Sequence, residues 1–431
     1  MDDREAYVGI DYQPRLIDAY LKNVFSELPA IEIYGAKAVG KTSTAKQLAK
    51  SILELDSIEG KELVQGGAPV LSRLPKPLLL DEWQRSPSCW DMVRRLVDED
   101  NSPGQFLLTG SAVPQGVSLH SGAGRITRLK MRPLSLQERE IDAPTVLMKD
   151  LLSKGVDFIS GKTDVSLPDY LQEITRSGFP GIRTHTERAI SLELDGYLEN
   201  IIQKEFPEQG LLVRKPDVLR NWLRAYASAT ASTASYQSIL DAATPGNSQK
   251  PSRKSTSGYR DILDSLWITD RVEAWLPTVN TMAAFGNAPK HYLVDASLSA
   301  RLLHVTFSQL LRGTDQKILG AQHGSFAGRL FESLLAQSLK VYAQINDAEL
   351  RHYRDAKNGR EIDFIIEKED VVLAIEVKMS AAATDNDVKM INWLKRNHVG
   401  QNVVGMIITS GSTAYTRSDG VHVVPAVLLG A

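Results

Sequence analysis

The residues best suited to chemistry in this sequence form a glycine-bounded loop near its N-terminus. The loop reads Gly35-Ala36-Lys37-Ala38-Val39-Gly40-Lys41-Thr42, which has the spacing G-x-x-x-x-G-K-[ST]. Two glycines let the backbone wrap a polyphosphate, and amides turned inward form an anion cradle at the start of a helix. Lys41 can then reach the β- and γ-phosphates, and the Thr42 hydroxyl can hold Mg²⁺. The loop, with Ser43 directly after it, therefore predicts a binding site for ATP and Mg²⁺.

A pair of acids follows a short apolar segment farther along the chain. The segment reads Leu78-Leu79-Leu80-Asp81-Glu82. Apolar residues bury such a strand, and the acids emerge at its carboxyl end, beside the phosphates. Asp81 is expected to hold the Mg²⁺ shell through water, and Glu82 to orient and polarise the attacking water. Lys41 and Glu82 are therefore the predicted catalytic residues of Mg²⁺-dependent ATP hydrolysis.

Two further groups of polar residues allow more than one interpretation. Thr109 and Ser111 end the next predicted strand, where a side chain could sense the γ-phosphate and Thr109 could contact the nucleotide. Ordinary turn chemistry also places these residue types at strand ends. Three arginines, Arg125, Arg128 and Arg132, could neutralise transition-state charge within a subunit or across an interface, or form a solvated basic strand. No single arginine finger is assigned.

A parallel sheet is needed to bring these residues together. Apolar periodicity predicts alternating elements: strands over 30–34, 53–56, 77–82, 105–111 and 125–131, and helices over 43–53 and 88–98. Strands interleaved with helices favour a parallel sheet that is covered on both faces. The predicted fold class of this part is α/β.

A second set of acids lies near the C-terminus. Glu332 falls on a predicted helix, Asp363 in a strand over 361–367, and Glu376 with Lys378 in the strand after it. Residues 376 and 378 face one side of a strand, so the carboxylate can bind Mg²⁺ while the ammonium helps to activate water. Glu332 and Asp363 would complete an oxygen-rich site for a hard cation. Three interpretations stay open: an active metal site, an inactive site on a retained scaffold, and purely structural charge.

The region between these sites is predicted to be helical. Three short helices and a β-like ribbon within residues 211–290 are typical of a winged helix. Its third helix is bordered or occupied by basic residues, as in helices that enter the major groove of DNA: Arg253, Lys254 and Arg260. Winged helices also mediate protein contacts, and Asp261 and Asp264 oppose the positive charge. DNA and a partner protein therefore both stay open.

Length and composition favour a multidomain protein of the cytoplasm. A chain of 431 residues is too long for a single core. Its net charge of −2 argues against a protein that coats nucleic acid, although a local basic patch stays compatible. We expect no membrane span and no signal peptide. Cys89 is the only cysteine, which excludes internal disulfides and cysteine-rich zinc sites. Four of the eight histidines are candidates for metal ligands by residue type but show no metal-ligand spacing: His291, His304, His323 and His352.

The motifs follow one order along the chain: Tyr12-Gln13-Pro14-Arg15-Leu16-Ile17-Asp18, the phosphate loop, Leu80-Asp81-Glu82-Trp83-Gln84-Arg85, Phe106-Leu107-Leu108-Thr109-Gly110-Ser111-Ala112, Gly124-Arg125-Ile126-Thr127-Arg128-Leu129 and Arg132-Pro133-Leu134-Ser135. This order resembles prokaryotic AAA-type ATPases that carry a C-terminal DUF4143 region. The segments around Glu361-Ile362-Asp363 and Glu376-Val377-Lys378 resemble the PD-(D/E)xK nuclease pattern. The resemblance covers nearly the whole chain, and AAA-type proteins suggest a homo-oligomer.

The resemblance implies an ASCE-type sheet, a winged helix and a PD-(D/E)xK-like α/β domain. We therefore predict four domains: an AAA-type ATPase core over 1–140, a helical connector over 141–210, the winged helix over 211–290 and the nuclease-like domain over 291–431. The preferred function is an ATP-dependent switch or motor that repositions the C-terminal modules. An ATP-gated nuclease and a non-enzymatic regulator that binds DNA or a protein are the alternatives.

Overall fold

The chain divides into two units, residues 1–131 and residues 132–431. The computed structural model describes residues 12–114, 121–153, 156–213, 215–243, 253–276, 287–314, 321–355, 357–398 and 402–431. Within these ranges, no helix is long and apolar enough to cross a membrane. The division into four domains is finer than these two units and stays a prediction.

The first unit is built on a parallel sheet. Its strands are β1 (Ala30–Tyr34), β2 (Ser51–Glu54), β3 (Leu78–Asp81), β4 (Phe106–Gly110) and β5 (Ile126–Lys130), and its helices are α1 (Leu16–Phe25), α2 (Lys41–Lys46), α3 (Ile58–Gln65), α4 (Ala68–Arg73) and α5 (Ser88–Glu99). The strands pair in the order β2-β3-β4-β1-β5, all parallel. The predicted α/β class with a parallel sheet is confirmed. The carboxyl ends of β1, β3 and β4 meet at one edge, where α/β proteins bind ligands.

The sheet of the first unit is covered by apolar side chains. Leu78, Leu79 and Leu80 of β3 are all fully buried, as expected of a central parallel strand with both faces covered. Leu78 and Leu80 share one cluster with Trp90 and Val93 of α5. Burying each such side chain contributes about 1.5–3 kcal/mol. This packing fixes β3, and with it the position of Asp81 at its carboxyl end.

The helix after the phosphate loop is shorter than its apolar pattern predicts. It ends at Lys46, and residues 51–54 form β2, whereas the sequence predicts a helix to residue 53. The amide of Lys50 donates to the Pro77 carbonyl at 2.9 Å, and residues 51–54 then pair in parallel with 78–81. Sheet hydrogen bonds therefore replace the last helical turns, so tertiary pairing overrides the local helical preference.

The second unit combines helices with a mixed sheet. Its helices are α6 (Met148–Leu152), α7 (Leu167–Arg176), α8 (Pro180–Arg183), α9 (Glu187–Asn200), α10 (Phe206–Glu208), α11 (Pro216–Ser228), α12 (Tyr236–Ala243), α13 (Arg253–Ser265), α14 (Ala296–Leu302), α15 (Phe307–Thr314), α16 (Ala321–Ile345) and α17 (Lys389–Asn397). Its strands are β6 (Val146–Leu147), β7 (Ser160–Lys162), β8 (Glu273–Ala274), β9 (Glu349–Asp355), β10 (Arg360–Lys368), β11 (Val371–Lys378), β12 (Asn402–Thr409), β13 (Thr413–Thr416), β14 (Val421–Pro425) and β15 (Leu429–Gly430).

The large sheet of the second unit pairs in the order β7-β13-β14-β12-β11-β10-β9-β8. Strands β9, β10 and β11 are antiparallel neighbours, while β11, β12 and β14 run parallel. The β9–β10 register shifts between Ile362 and Ile365, which places Asp363 and Phe364 opposite the single residue His352. Such a bulge changes the direction of the side chains on the bulged strand. Asp363 therefore lies at a break in the ladder.

The start and the end of the second unit pair with each other. Val146 of β6 pairs in parallel with Leu429 of β15, and β7 pairs antiparallel with β13. The amide of Thr145 also donates to the Leu428 carbonyl at 3.0 Å. Residues 146–162 are thus tied to strands β13 and β15.

Three helices are present where the sequence predicts the helices of a winged helix, namely α11, α12 and α13. The β-like segment after them forms bridges from Thr269 to Leu293 and from Val272 to Lys290. Strand β8 then pairs in parallel with β9, at the end of the large sheet. Residues 277–286 lie outside the described residues, and the winged-helix assignment stays a prediction.

Candidate functional site

The phosphate loop joins β1 to α2 and depends on its glycines. Gly35 has a φ of 152°, and a Cβ added there would lie 2.2 Å from the Met131 carbonyl oxygen. Gly40 has a φ of 99° and precedes the first residue of α2, and Ala38 also adopts the left-handed region with a φ of 64°. Left-handed residues interspersed in a loop are the geometry that turns successive amides to one side. The loop thus has a backbone suited to binding an anion.

Lys41 is held inside the loop. Only 5% of the residue is exposed, and its Nζ donates to the Ala36 carbonyl at 2.8 Å. Burial lowers the pKa of Lys41 to about 8, against the opposing effect of the Glu82 and Asp81 carboxylates. At pH 7 the side chain therefore still carries its charge. The flanking Lys37 is half-buried, and Ser43 is exposed.

Thr42, Asp81 and Thr109 meet at the carboxyl edge of the sheet. The Thr42 hydroxyl donates to Asp81 Oδ1 at 2.7 Å, and the Thr109 hydroxyl donates to the same oxygen. Burial raises the pKa of Asp81, although the two hydroxyl donors act to lower it. A hydroxyl and a carboxylate side by side are oxygen donors of the kind that Mg²⁺ takes in phosphoryl-transfer sites. The residues present therefore fit the predicted cation.

Glu82 is positioned by a network of its own. Its backbone is left-handed, with a φ of 53°, and its amide donates to Thr109 Oγ1 at 3.2 Å. Its carboxylate accepts hydrogen bonds from Ser111 Oγ at 2.9 Å and from Gln84 Nε2. Gln84 Nε2 also lies 3.0 Å from Ser111 Oγ. A left-handed backbone in a residue other than glycine is uncommon and is often found at functional sites. The sequence indicates Ser111 as a candidate at this strand end but gives no sign of a role for Gln84.

Two residues upstream of β1 brace the phosphate loop. Arg15 Nη1 donates to the Val39 carbonyl at 2.7 Å, and Arg15 is buried. The Tyr12 hydroxyl lies 2.9 Å from Thr44 Oγ1 and donates to Asp18 at 2.7 Å. The sequence alone predicts no role for Arg15 or Tyr12, although both belong to the first motif of the resemblance.

The arginines considered as fingers are engaged by acids of their own units. The ion pairs are Arg125 with Asp98 at 2.7 Å, Arg128 with Glu32 at 2.5 Å and Arg132 with Asp270 at 2.8 Å. Glu32 is nearly fully buried and also accepts a hydrogen bond from Trp83 Nε1. These contacts give Arg128 and Arg132 structural partners, and the identity of an arginine finger stays open.

In the second unit, a buried lysine lies among the acids predicted to bind a metal. Lys290 Nζ is 3.1 Å from Glu332 Oε1, 3.0 Å from Asp363 Oδ1 and 3.1 Å from Glu361 Oε1. Burial acts to lower the pKa of Lys290, but the three carboxylates outweigh it and raise that pKa. Glu332 and Asp363 thus both lie within 3.1 Å of one ammonium group. The sequence pattern does not indicate the Lys290 ammonium between them, or Glu361 as a partner of that ammonium.

Two neutral donors complete the surroundings of these acids. The Tyr292 hydroxyl donates to Glu332 Oε1 at 2.6 Å, and the Val377 amide donates to Asp363 Oδ2 at 3.0 Å. Burial raises the pKa of Glu332 to about 7, and the Asp363 carboxylate adds to the shift. Burial also acts to raise the pKa of Asp363, but Lys290 and the Val377 amide outweigh it and lower that pKa.

Glu376 and Lys378 form a separate pair on β11. Lys378 Nζ lies 3.0 Å from Glu376 Oε2. Burial raises the pKa of Glu376 to about 8, with a further contribution from Asp363. Within the described part of the chain, no group of three or more His, Cys, Asp and Glu side chains is arranged to hold a metal ion. The metal-binding roles of Glu332, Asp363 and Glu376 stay predictions.

The basic residues of the third middle helix are only partly described. The Arg260 guanidinium lies 4.0 Å from the centre of the Tyr236 ring, and its Nη2 donates to Ser257 Oγ at 3.3 Å. The side chains of Arg253 and Lys254 lie outside the described residues. A DNA contact by this helix therefore stays a prediction.

Residues 28–140 match the family model described as AAA domain. This range contains the phosphate loop, Asp81, Glu82 and Thr109. The chain carries an AAA domain. Downstream of the AAA domain, residues 167–309 match DUF8612 and residues 327–429 match DUF4143, both described as domains of unknown function. The predicted combination of an AAA domain with a C-terminal DUF4143 region is confirmed.

Two relatives match most of this chain. An uncharacterized protein of Mycobacterium tuberculosis and one of Mycobacterium bovis are each 24% identical over 418 residues, which cover 95% of this chain and 82% of theirs. Among solved structures, a Walker-type ATPase of Pyrococcus abyssi has a TM-score of 0.37 at 16% identity and covers 68% of this chain and 96% of its own. The Aeropyrum pernix ORC2 protein has a TM-score of 0.31 at 15% identity, with coverages of 72% and 98%.

Proposed function

We propose that this protein is a Mg²⁺-dependent ATPase whose nucleotide state controls its second unit. The observation that carries the proposal is the 2.7 Å hydrogen bond between Thr42 of the phosphate loop and Asp81 at the end of β3. It joins the two groups that P-loop enzymes use around the cation. Glu82, the next residue, is held by Ser111 and Gln84 at the same edge of the sheet.

Each residue of the site has a distinct role in this proposal. Lys41 exchanges its bond to the Ala36 carbonyl for the β- and γ-phosphates. Thr42 and Asp81 would hold Mg²⁺, which neutralises phosphate charge when it is bound. Glu82 orients the attacking water and polarises it. The Thr109 hydroxyl fixes Asp81 through a hydrogen bond to Oδ1. Positioning and charge stabilisation are most of what phosphoryl transfer requires from a protein.

Release of phosphate from ATP in the presence of Mg²⁺ tests the assignment of the nucleotide site. Lys41→Ala should abolish nucleotide binding, because it removes the cation that faces the phosphates. Lys46→Ala is the matched control, since Lys46 lies on the same helix but pairs with the exposed Glu54 at 3.2 Å. Hydrolysis by Lys41→Ala at the parent rate would show that the nucleotide site is wrong. Equal losses in both lysine variants would indicate a general effect of charge removal.

The proposal also includes control of the second unit by the nucleotide. We infer that ATP changes the affinity of residues 211–290 for DNA or for a partner protein. The test is duplex DNA binding with and without ATP, for the parent and for a variant in which Arg253, Lys254 and Arg260 are replaced by Glu. If the variant binds duplex DNA more weakly and with a smaller dependence on salt, the result supports a DNA contact by these basic residues. Unchanged DNA affinity removes the DNA version and leaves the protein partner.

Assembly and compartment complete the proposal. AAA domains commonly act as homo-oligomers, in which an arginine of one copy completes the site of the next. Light scattering in the presence of Mg²⁺-ATP measures the oligomeric state. A monomer both with and without nucleotide would contradict the proposal of a homo-oligomer. The sole cysteine, Cys89, is buried, and burial raises the pKa of its thiol to about 12. A chain of this kind needs no oxidising compartment, which supports the cytoplasm.

A further inference from the structure

The acids around Lys290 are spaced for an ammonium group. Three carboxylate oxygens, from Glu332 on α16 and from Glu361 and Asp363 on β10, lie 3.0–3.1 Å from Nζ. A protonated lysine has three N–H donors, so each one has an acceptor. Oxygens that bind Mg²⁺ lie about 2.0–2.1 Å from the ion, and those that bind Ca²⁺ about 2.3–2.6 Å. The three oxygens therefore surround a position that a nitrogen cation already fills.

Lys290 is anchored in this position by its own segment. Its amide donates to the Val272 carbonyl at 2.9 Å, and the Val272 amide donates back at 3.0 Å. Two residues later, Tyr292 donates to Glu332 Oε1 at 2.6 Å. The Lys290 side chain is only 1% exposed. One short stretch of backbone thus delivers both the ammonium and a phenol to the acid cluster.

The remaining acid of the predicted metal site is also paired with an ammonium group. Glu376 lies 3.0 Å from Lys378 Nζ and is 10% exposed. The bulge at Asp363 turns one carboxylate oxygen to Lys290 and the other to the Val377 amide, at 3.0 Å each. Each of the three predicted metal ligands therefore has a donor or cation supplied by the chain.

We propose that the Lys290 ammonium takes the place of a divalent cation in this cluster. The second unit then keeps the outline of a nuclease-like metal site without binding a metal there, and it does not cleave nucleic acid through Asp363. The inference does not depend on ATP hydrolysis, because it concerns residues of the second unit alone. It also explains how a lysine side chain that is only 1% exposed is tolerated there, since an unpaired buried charge would be strongly destabilising.

Lys290→Met is the direct test. Methionine keeps the length of the stem to Cε but lacks the ammonium, so it leaves three acids around an open position. In nucleotide-free protein, Mn²⁺ titration followed by electron paramagnetic resonance should show one bound ion gained by Lys290→Met. We expect the affinity to exceed that of the parent by at least about tenfold, because a fixed positive charge about 3 Å from the carboxylates is gone. The ion should be lost again when Asp363→Asn is added.

Lys340→Met provides the matched control. Lys340 is another buried lysine of this unit, 3.2 Å from Asp270 and outside the acid cluster. Its replacement should yield no Mn²⁺ site. A folded Lys290→Met that gains no site, or gains one that survives Asp363→Asn, would overturn the proposal.

The parent protein tests the proposal even if Lys290→Met does not fold. The parent and Asp363→Asn should bind the same amount of Mn²⁺, because Asp363 binds no ion in the parent. In the presence of Mn²⁺ and ATP, the parent should cut neither supercoiled plasmid nor single-stranded RNA. If the parent binds one equivalent of Mn²⁺ or cleaves nucleic acid, and Asp363→Asn does not, then a metal displaces the Lys290 ammonium and the proposal is wrong. Phosphate release by the same samples, with Lys41→Ala beside them, reports separately on the ATPase.

Discussion

The contacts of Glu82 lead to a quantitative prediction about ATP hydrolysis. Glu82→Gln keeps the size of the side chain and leaves Lys41, Thr42 and Asp81 in place. We therefore expect ATP binding to change little. Hydrolysis loses the charged group that polarises water, and such groups commonly contribute about 10²–10⁴-fold to the rate. The expected kcat of Glu82→Gln is lower than that of the parent by this factor.

Ser111→Ala tests whether Glu82 works through its network. The substitution removes the 2.9 Å hydrogen bond to Glu82 Oε2 and leaves the bond from Gln84. A hydrogen bond to a charged acceptor contributes about 1.5–3 kcal/mol. Because one donor remains, we take the lower value, which corresponds to about a tenfold loss in kcat. KM should stay near that of the parent, since the hydrogen bonds described for the Ser111 hydroxyl join it to Glu82 and Gln84, not to Lys41 or Thr42.

A double-mutant cycle separates this role from a structural one. In the Glu82→Gln background, Ser111→Ala should have almost no further effect on kcat, because the charged acceptor is already gone. Single-turnover phosphate release gives the rates, and a fluorescent ATP analogue gives the affinities. Independent, multiplying losses in the double variant would refute the proposed positioning of Glu82 by Ser111. A parallel loss of ATP affinity in Glu82→Gln would show that Glu82 contributes to binding instead.

Three further outcomes follow from buried groups. Burial lowers the pKa of Lys41 to about 8 in the nucleotide-free protein. Because phosphate favours the charged lysine, the affinity for ATP should be highest below pH 8 and fall as the pH rises through 8. The ATP analogue, titrated at about pH 6.5 to 9.5, measures this affinity, and an affinity that does not change with pH would contradict the prediction. Gly35→Ala places a Cβ 2.2 Å from the Met131 carbonyl, so ATP binding should be lost, with a destabilisation of about 1–3 kcal/mol, measured by urea unfolding. Arg139 and Arg183 both pair with the buried Glu173 carboxylate, at 2.9 and 3.1 Å. Glu173→Gln removes this shared counter-charge and should lower the free energy of unfolding of the second unit by about 3–5 kcal/mol. A change below about 1 kcal/mol would argue against this pairing.

The nucleotide-binding part of the protein could be predicted largely from local patterns. The glycines at 35 and 40 are needed for backbone angles that other residues rarely adopt, so their spacing carries geometric information. The apolar run before Asp81 is what a strand buried on both faces requires. Thr42 and Asp81 are far apart in the sequence, yet Asp81 ends β3 and Thr42 lies in the helix after β1, and the carboxyl ends of these parallel strands meet at one edge. Their 2.7 Å contact is therefore a consequence of topology.

The cation in the C-terminal cluster could not be found in the same way. Lys290 lies outside any motif, in a segment whose neighbours predict only a β-like ribbon. Its role depends on the Val272 bridge, and on the bulge that places Asp363 at a break in the ladder. Both features are long-range pairings without a local sequence signal. The same reason explains the error after the phosphate loop, where pairing with β3 ends α2 before its helical pattern ends.

The pairing of β6 with β15 has a consequence for how the chain matures on the ribosome. All contacts that define the parallel sheet of the first unit lie within residues 30–130, so this unit can close while the rest is still being translated. Val146 must instead wait for Leu429. We expect nascent chains arrested before β15 to carry a protease-resistant first unit and a protease-sensitive second one. Pulse proteolysis of such chains would show it, and early resistance of both units would contradict it. Nucleotide binding would then precede completion of the second unit during synthesis.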